Sequence, residues 1–436
     1  MKFGEFRPLL KLAIPVVLAN LSFMLMGVVD ILVIGQIGAI ELAGVSAGNA
    51  IFWFLLIVPS GLSLSLDPLV SGYRGKGLNP SPLLTQSLYQ GAILTLLITP
   101  ILVFWPGPIF ELIGTSEEIR PGAEIYLRVM GYSFPFSMMG MVLQRYWNAM
   151  ERPKIIAFLA LAANIINLIL DLTFVLGWFS APQLGVLGVA IASFLSRLFV
   201  FIGMLAFTLR AFKKNNDSFS LSWNSGLNTQ MLRIGLPAMA QWGLEMFAFT
   251  LSTLLATRIN AQALSAHQVA LTLASMVFMV PLGLGTAASV RVGYFLGAED
   301  RVKAREAGWQ TVILGLGFNV MTAVLFFAFA EPLMKLFIQD PNVVSIGASV
   351  LLLCGFFQIF DGSQVILAGA LRGYQKTLWP LFTNFIGYYP LGLPLGAYLC
   401  FYTDWGVLGL WIGLTVGLMT ASILNLLGWM RININP

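Results

Sequence analysis

Long apolar stretches separated by short polar segments run through the whole chain. Twelve of these stretches are long enough to cross a hydrocarbon core of about 30 Å, for which a helix needs about 20 residues. They do not show the strict alternation over about 10 positions that is typical of transmembrane β-strands. The pattern predicts an all-α integral membrane protein with twelve transmembrane helices, near residues 10–35, 45–71, 84–107, 123–147, 154–178, 185–210, 231–257, 265–293, 307–330, 345–371, 378–402 and 405–430.

Composition supports a membrane protein over a soluble one. Apolar residues make up 58% of the 436 residues, and Lys, Arg, Asp and Glu only 10%, against roughly 25% charged residues in soluble domains. The net charge of +5 comes from scattered residues, which excludes a nucleic-acid binder. Cys354 and Cys400 both lie in apolar stretches, so we expect them to pack in the core without forming a disulfide framework.

The basic residues predict the orientation in the membrane. Nineteen Lys and Arg residues fall on the side of the termini, and only Arg120, Arg128, Arg258 and Lys335 on the other, while Arg197 lies within a span. Because Lys and Arg are enriched in cytoplasmic loops, we expect both termini in the cytoplasm. The lipid bilayer is then the protein's surroundings, and we expect a monomer.

The chain contains an internal repeat. An offset of 222 residues aligns several interior prolines and glycines, which bend helices or permit close backbone approach. The aligned pairs include Pro15 with Pro237, Pro59 with Pro281 and Gly75 with Gly297. We predict an N-terminal six-helix bundle (1–209), a cytoplasmic linker (210–230) and a C-terminal six-helix bundle (231–436).

Six helices per half give both halves the same direction through the membrane. Their relation is therefore a pseudo-two-fold axis along the membrane normal, as in transporters with parallel repeats. Two such bundles favour alternating access, and a rigid duplicated scaffold is the alternative.

Besides Glu124, at the first turn of its span, five acidic residues fall inside the predicted spans: Asp30, Asp67, Asp171, Glu245 and Asp361. A charged residue at the centre of a span costs roughly 2.5–3.5 kcal/mol on insertion scales, and it usually marks a substrate, ion or proton pathway. Asp67 is the exception, because it lies near the end of its span, close to basic residues. We interpret it as a solvated or paired residue at the membrane rim.

The fifth span carries an oxygen-rich face. Asn164, Asn167 and Asp171 lie at helical spacing, so their side chains share one side of the helix. Counted along their helices, Asp30 and Asp171 both lie in the outer half, and we expect them to meet. Such a set suits a hard cation or a shared proton. The alternative is that the asparagines only form hydrogen bonds between helices.

The second predicted site lies in the C-terminal bundle. Glu245 and Asp361 both fall near the middle of the membrane, on the seventh and tenth spans, and Gln241 and Gln364 lie one turn or less from them. Burial disfavours the charged form of a carboxylate and a bound cation favours it. A cationic substrate and H⁺ or Na⁺ that compete for the same acids would therefore be coupled.

Aromatic side chains near the acids suit flat organic cations. The predicted substrate-binding set is Asp30, Gln241, Trp242, Phe249 and Gln364. Apart from a possible Na⁺ at Glu245 and Asp361, no metal and no cofactor is expected. The single histidine, His267, has no metal-ligand spacing to Cys, Asp or Glu, and we interpret it as a hydrogen-bonded interior residue. Protease, lipase and ATPase motifs are absent from the sequence.

Several long segments resemble the multidrug and toxic compound extrusion (MATE) family, nearest its NorM-like branch. They are the end of the first helix, VVDILVIGQIG, the approach to Glu245, GLPAMAQWGLE, residues 265–300, SAHQVALTLASMVFMVPLGLGTAASVRVGYFLGAED, and residues 360–380, FDGSQVILAGALRGYQKTLWP. The similarity covers essentially the whole chain. It implies a MATE/MOP-type fold and an antiporter of small organic cations, such as drugs and dyes, against Na⁺ or H⁺ in the inner membrane of a bacterium.

The resemblance also implies roles for individual residues. Asp30 corresponds to the first-helix acid of the family, and Glu245 and Asp361 to the acids of the cation site in the C-terminal bundle. Asn167 and Asp171 are similar to the Asn-xxx-Asp pattern of the other prokaryotic branch, where the NorM-like branch has Asn-xxx-Asn, so the coupling ion stays open between Na⁺ and H⁺. The alternatives are a lipid-linked glycan flippase of related fold and an intramembrane enzyme.

Overall fold

The computed structural model describes residues 4–215 and 222–432. Over these ranges it contains fifteen α-helices and no β-strand, which confirms the all-α prediction. The helices are α1 (Phe6–Ile34), α2 (Ala39–Ser60), α3 (Leu66–Gly75), α4 (Ser81–Phe104), α5 (Pro106–Leu112), α6 (Arg120–Ala149), α7 (Lys154–Phe174), α8 (Val186–Asn215), α9 (Ser225–Ala256), α10 (Ala261–Gly297), α11 (Arg301–Lys335), α12 (Pro341–Gly373), α13 (Leu378–Ile386), α14 (Leu393–Tyr402) and α15 (Gly406–Met430).

These helices form the twelve predicted membrane segments. A 3₁₀ turn (Gly61–Ser65) joins α2 to α3 in one segment, and a π-helical turn (Gly387–Gly392) joins α13 to α14 in another. Helix α5 has only 7 residues and is too short to cross. By length and composition alone, 9 segments of the described chain qualify as membrane spans. The other three are α6, α9 and the α13–α14 segment.

The prolines that the repeat aligns lie inside helices. Pro15 and Pro237 are inside α1 and α9, and Pro59 and Pro281 are inside α2 and α10. Proline removes a backbone hydrogen bond and favours a bend at the preceding turn. The two halves of the chain therefore place their helix-bending residues at equivalent positions.

Helices extend into both ends of the predicted linker. Helix α8 continues to Asn215 and α9 begins at Ser225, while 216–221 lie outside the described residues. Asn228, only 3% exposed, donates to Gln86 Oε1 of α4 at 2.6 Å and accepts from Gln90 Nε2 at 2.9 Å. The beginning of α9 is therefore bound to α4 by side-chain amides.

The chain divides into two compact units. The N-terminal unit comprises the described residues of Leu18–Leu66 and Asn79–Met231, and the C-terminal unit those of Met1–Val17, Asp67–Leu78 and Leu232–Pro436. Buried aromatic side chains form much of each core, with Phe52, Phe110, Tyr126 and Phe134 in the N-terminal unit and Phe357, Tyr388 and Trp411 in the C-terminal unit. The domain boundaries at 209 and 231 stay a prediction.

Within the C-terminal unit, α3 crosses α10 with their backbones in close contact. A Cβ atom added to Gly297 would overlap the carbonyl oxygen of Gly72, and one added to Gly75 would overlap that of Tyr294. Small residues permit this approach between membrane helices. Gly75 and Gly297, which the repeat aligns, therefore lie at the same crossing.

The N-terminal end of the chain is bound to the same unit by an ion pair. Arg291 Nε donates to Glu5 Oε2 at 2.9 Å, and the backbone N–H of Glu5 donates to Gln310 Oε1 at 3.0 Å. Both charged side chains are largely buried, with 12% and 17% exposed.

Candidate functional site

Asp30 is held by hydrogen bonds from two other helices of the N-terminal unit. Its carboxylate is 3% exposed. Asn167 Nδ2 on α7 donates to Oδ1 at 3.1 Å, and Ser193 Oγ on α8 donates to Oδ2 at 2.6 Å. Both donors suit an ionised carboxylate, since charge-assisted hydrogen bonds are stronger than neutral ones. The predicted association of Asp30 with the asparagine face of the fifth span is thus present in the structure.

Asp171 lies beside Asp30 and is fully buried. Among the described residues, no donor hydrogen-bonds to either of its carboxylate oxygens. Buried polar atoms usually have a hydrogen-bond partner. Because the oxygens of Asp171 have no donor in the described chain, a proton or another cation bound there would stabilise the acid pair. Asn164, by contrast, donates to the backbone oxygens of Ser22 and Ala160 at 2.8 and 2.9 Å. It connects α7 to α1 and does not join the acid pair.

A tyrosine and an arginine lie next to the acid pair. Tyr126 is fully buried, donates to Asn49 Oδ1 at 3.3 Å and interacts electrostatically with Asp30 and Asp171. Arg197 interacts electrostatically with Asp30 and Tyr126. Together with Asp30, Asp171, Asn167 and Ser193, these two residues form what we call the N-terminal acid cluster.

Glu245 is the centre of a second cluster, in the C-terminal unit. Asn384 Nδ2 on α13 donates to Glu245 Oε2 at 3.3 Å, and Asn384 Oδ1 accepts from Gln364 Nε2 on α12 at 2.8 Å. Gln364 also lies close enough to interact with Glu245 directly. Two helices, α12 and α13, therefore position this carboxylate of α9 through amide side chains.

Asp361 shares this cluster with Glu245. It is 4% exposed and interacts electrostatically with Glu245. Several buried oxygens around it find no hydrogen-bond partner in the described part of the chain: Asp361 Oδ1, Gln358 Oε1, Gln364 Oε1 and Tyr388 Oη. An oxygen-rich group with two carboxylates is the donor set that hard cations prefer. We call these residues, with Glu245 and Asn384, the C-terminal acid cluster.

The other predicted substrate residues lie along α9. Gln241 is 3% exposed and precedes Glu245 by one turn. Trp242 and Phe249 are half-buried. Phe249 packs edge-on against Phe357 and Tyr388, each with ring centroids 6.1 Å away. Phe249 thus contacts Tyr388 of the C-terminal acid cluster.

His267 is a fully bonded interior residue. Trp411 Nε1 donates to its Nδ1 at 3.1 Å, and its Nε2 lies 3.0 Å from Thr253 Oγ1. Because Nδ1 accepts, Nε2 carries the proton and donates. This confirms the interpretation of His267 as a hydrogen-bonded interior histidine. Cys354 and Cys400 are buried free thiols, also as predicted.

The interpretation of Asp67 as a solvated residue is wrong, whereas its interpretation as a paired residue stays a prediction. The residue is fully buried at the beginning of α3, so it is not a solvated residue at the rim. Its neighbour Pro68, and Ser71 one turn further along α3, lie against Gly293 of α10. This packing buries Asp67, although the nearby basic residues in the sequence favour an exposed position.

The sequence did not identify four members of the two clusters. Ser193, Tyr126, Asn384 and Tyr388 are polar residues of apolar spans, and each type is common inside helices for other reasons. Arg197 could have been identified as a site residue from the sequence, because a lone basic residue inside a span is rare. Across the described ranges, no three His, Cys, Asp or Glu side chains form a transition-metal site.

Comparisons with known proteins agree with this architecture. The sequence model of the MatE family matches the chain twice, at residues 15–173 and 237–398, which corresponds to the internal repeat. The chain is 34% identical over 442 residues to the probable multidrug resistance protein NorM of Mesorhizobium japonicum, covering 98% of this chain and 94% of the relative. It is 31% identical over 431 residues to the multidrug resistance protein PmpM of Pseudomonas aeruginosa, covering 97% and 90%.

Solved structures show the same fold. The eukaryotic MATE transporter AtDTX14 superposes with a TM-score of 0.87 at 24% identity, covering 99% of this chain and 96% of that one. An outward-facing MATE family transporter of the MOP superfamily superposes with a TM-score of 0.88 at 19% identity, covering 97% and 94%. Two family-model matches that together span most of the chain, and relatives above 30% identity over nearly its full length, establish that the chain belongs to the MatE family of transporters.

Proposed function

We propose that this transporter exports organic cations in exchange for H⁺ or Na⁺ by alternating access. Two observations support the proposal. The relatives of similar length are named as multidrug resistance proteins, and the chain buries two separate acid clusters inside apolar membrane helices. The second observation carries most of the argument, because buried carboxylates are costly in a membrane unless positive ions bind them.

The C-terminal acid cluster is the proposed site of the coupling ion. Glu245 and Asp361 provide two negative charges that interact with each other, and their neighbours offer buried oxygens without a hydrogen-bond donor among the described residues. Asp361 is buried and Glu245 is half-buried, and two adjacent carboxylates withdrawn from water repel each other when both are ionised. A bound proton or Na⁺ removes that repulsion, and its departure restores it.

The N-terminal acid cluster is a second site, which protons or the substrate use. Asp30 is served by two donors and Asp171 by none in the described chain. Because only Asp171 of this pair lacks hydrogen-bond donors in the described chain, it is the proposed site of a single exchangeable cation. Asn167 holds Asp30 in place. Gln241, Trp242, Phe249 and Gln364 are the proposed substrate contacts in the other unit.

The proposed location is the inner membrane of a bacterium, with both termini in the cytoplasm. The excess of Lys and Arg on the side of the termini supports this orientation. We propose that the protein acts as a monomer, since each unit contains its own complete acid cluster.

The alternatives have less support. A flippase for a lipid-linked pyrophosphate needs a cationic cavity, whereas Arg197 in the N-terminal unit interacts with Asp30 and lies over two aromatic rings. An intramembrane enzyme needs a nucleophile paired with a base. His267, the natural base, has both ring nitrogens bonded to Trp411 and Thr253.

Transport into proteoliposomes tests the proposal directly. A fluorescent organic cation is added under an imposed H⁺ gradient or an imposed Na⁺ gradient, each at matched membrane potential. We expect one gradient to drive the dye against its concentration, and Glu245→Gln to abolish this. Glu331→Gln is the matched control, because Glu331 forms an exposed i,i+4 pair with Lys335. Failure of both gradients to move the dye would refute the proposal.

A further inference from the structure

Arg197 is a positive charge held inside the N-terminal unit, with no ion pair to any residue of the described ranges. Its guanidinium stacks over the rings of Phe52 and Trp53, 4.8 and 4.9 Å from the ring centroids. Its Nε is buried and has no hydrogen-bond partner in the described chain. Stacking on aromatic faces stabilises a desolvated guanidinium. The aromatic pair thus fixes where the charge lies.

The acid pair is adjacent to this charge but does not bind it directly. Arg197 interacts electrostatically with Asp30 and Tyr126, while the oxygens of Asp30 accept from Asn167 and Ser193. The guanidinium therefore influences the acids through its field and leaves their oxygens available. A direct salt bridge would have removed Asp30 from exchange with other cations.

The groups around the acid pair come from five helices. They are Asp30 of α1, Asn49 of α2, Tyr126 of α6, Asp171 and Asn167 of α7, and Ser193 and Arg197 of α8. Asp30 and Asp171 are the buried acids of this unit in the described ranges. With both ionised and Arg197 charged, the cluster carries one net negative charge.

We infer that Arg197 is a charge-setting residue, which makes the N-terminal acid cluster exchange one positive charge at a time and prefer singly charged organic cations to doubly charged ones. This inference rests on the proposed function, in which the acid pair neutralises the substrate or the proton that replaces it. A low-dielectric site is most stable at zero net charge. One proton or one monocation brings the cluster to zero, whereas a dication leaves it positive.

Two related dyes test the inference. Ethidium and propidium share a phenanthridinium ring and carry one and two positive charges, so the ratio of their affinities isolates the effect of charge. Binding is measured by fluorescence on the purified full-length protein in detergent. The variants are Arg197→Met, which removes the charge, Arg197→Lys, which keeps it, and Arg210→Met on the exposed end of α8 as the control.

We expect wild type to bind ethidium more tightly than propidium. In Arg197→Met the ethidium-to-propidium affinity ratio falls by about tenfold, the effect of removing one unit charge at close range from a partly desolvated site. Arg197→Lys and Arg210→Met keep the wild-type ratio. Removal of the positive charge also favours protonation of the acid pair, so the pH of half-maximal ethidium binding rises in Arg197→Met and not in Arg210→Met.

The outcomes separate this inference from the proposed function. An unchanged ratio of ethidium to propidium affinity in Arg197→Met overturns the role of Arg197. This includes an equal loss of affinity for both dyes, which would indicate an effect on packing alone. Binding of neither dye by wild type would contradict the proposed function as well. If Arg197→Met does not fold, Arg197→Gln provides the same comparison with Arg197→Lys.

Discussion

Replacing Ser193 with alanine removes a hydrogen bond to the N-terminal acid pair. The hydroxyl of Ser193 donates to Asp30 Oδ2 at 2.6 Å, and the residue is fully buried. Ser196, three residues along the same helix, is equally buried but donates to the backbone oxygen of Ala192 at 2.8 Å. Ser193→Ala and Ser196→Ala therefore remove the same buried group, and only the first removes a donor to a carboxylate.

The expected effect follows from the energy of a charge-assisted hydrogen bond. Such a bond contributes about 1.5–3 kcal/mol, and a tenfold change in proton affinity corresponds to about 1.4 kcal/mol. Loss of the bond makes the ionised form of Asp30 less stable, so the pair holds a proton to higher pH. Because a cationic substrate competes with that proton, the pH of half-maximal substrate binding rises by about one to two units in Ser193→Ala.

The assay is binding of a fluorescent monocation to purified wild type and both variants between pH 5 and pH 10. Ser196→Ala serves as the control for loss of a buried hydroxyl, and its midpoint is expected to coincide with that of wild type. If the Ser193→Ala and Ser196→Ala curves coincide, the N-terminal acid pair does not exchange protons with the substrate, and this part of the account is refuted.

Three further predictions concern packing and the second acid cluster. Gly297→Ala lowers the melting temperature because its Cβ overlaps backbone atoms, whereas Gly317→Ala, with no neighbour within 4 Å, does not lower it; thermal unfolding of the two variants checks this. His267→Phe leaves a buried indole N–H without its acceptor and costs about 1–3 kcal/mol of stability, but the pH dependence of transport stays that of wild type. Asn384→Leu removes the donor to Glu245, which makes the free ionised carboxylate less stable, so the coupling ion binds about tenfold more tightly, measured as a lower ion concentration at half-maximal transport. An unchanged half-maximal concentration would remove Asn384 from the coupling-ion site.

The sequence predicted the fold because its signals are local. Each span is a continuous apolar stretch, and the hydrocarbon core of the bilayer requires such a stretch to satisfy its backbone hydrogen bonds as a helix. The acids were equally visible, since a carboxylate inside such a stretch is rare unless it binds an ion, a proton or a substrate. Asp30 and Asp171 do lie together, as counting residues along their helices predicted.

The partners of the acids were not predictable, because they come from distant parts of the chain. Ser193 lies 163 residues from Asp30 and Asn384 lies 139 residues from Glu245. Helical spacing relates residues of one helix, but it does not tell which face of another helix lies opposite. The same limit explains why Asn164 looked like a member of the acid site when it donates to backbone oxygens of α1 and α7.

The central claim is that small positive ions bind the buried carboxylates and leave when the substrate binds. It is tested most directly on purified protein equilibrated with ²²Na⁺ in weakly buffered solution, by counting protons released and sodium displaced when a saturating organic cation is added. We expect wild type to release H⁺ or ²²Na⁺ in proportion to the cation bound, and a variant with Asp30→Asn, Asp171→Asn, Glu245→Gln and Asp361→Asn to release neither. Saturable binding of the cation by wild type with no release of either ion would contradict the claim.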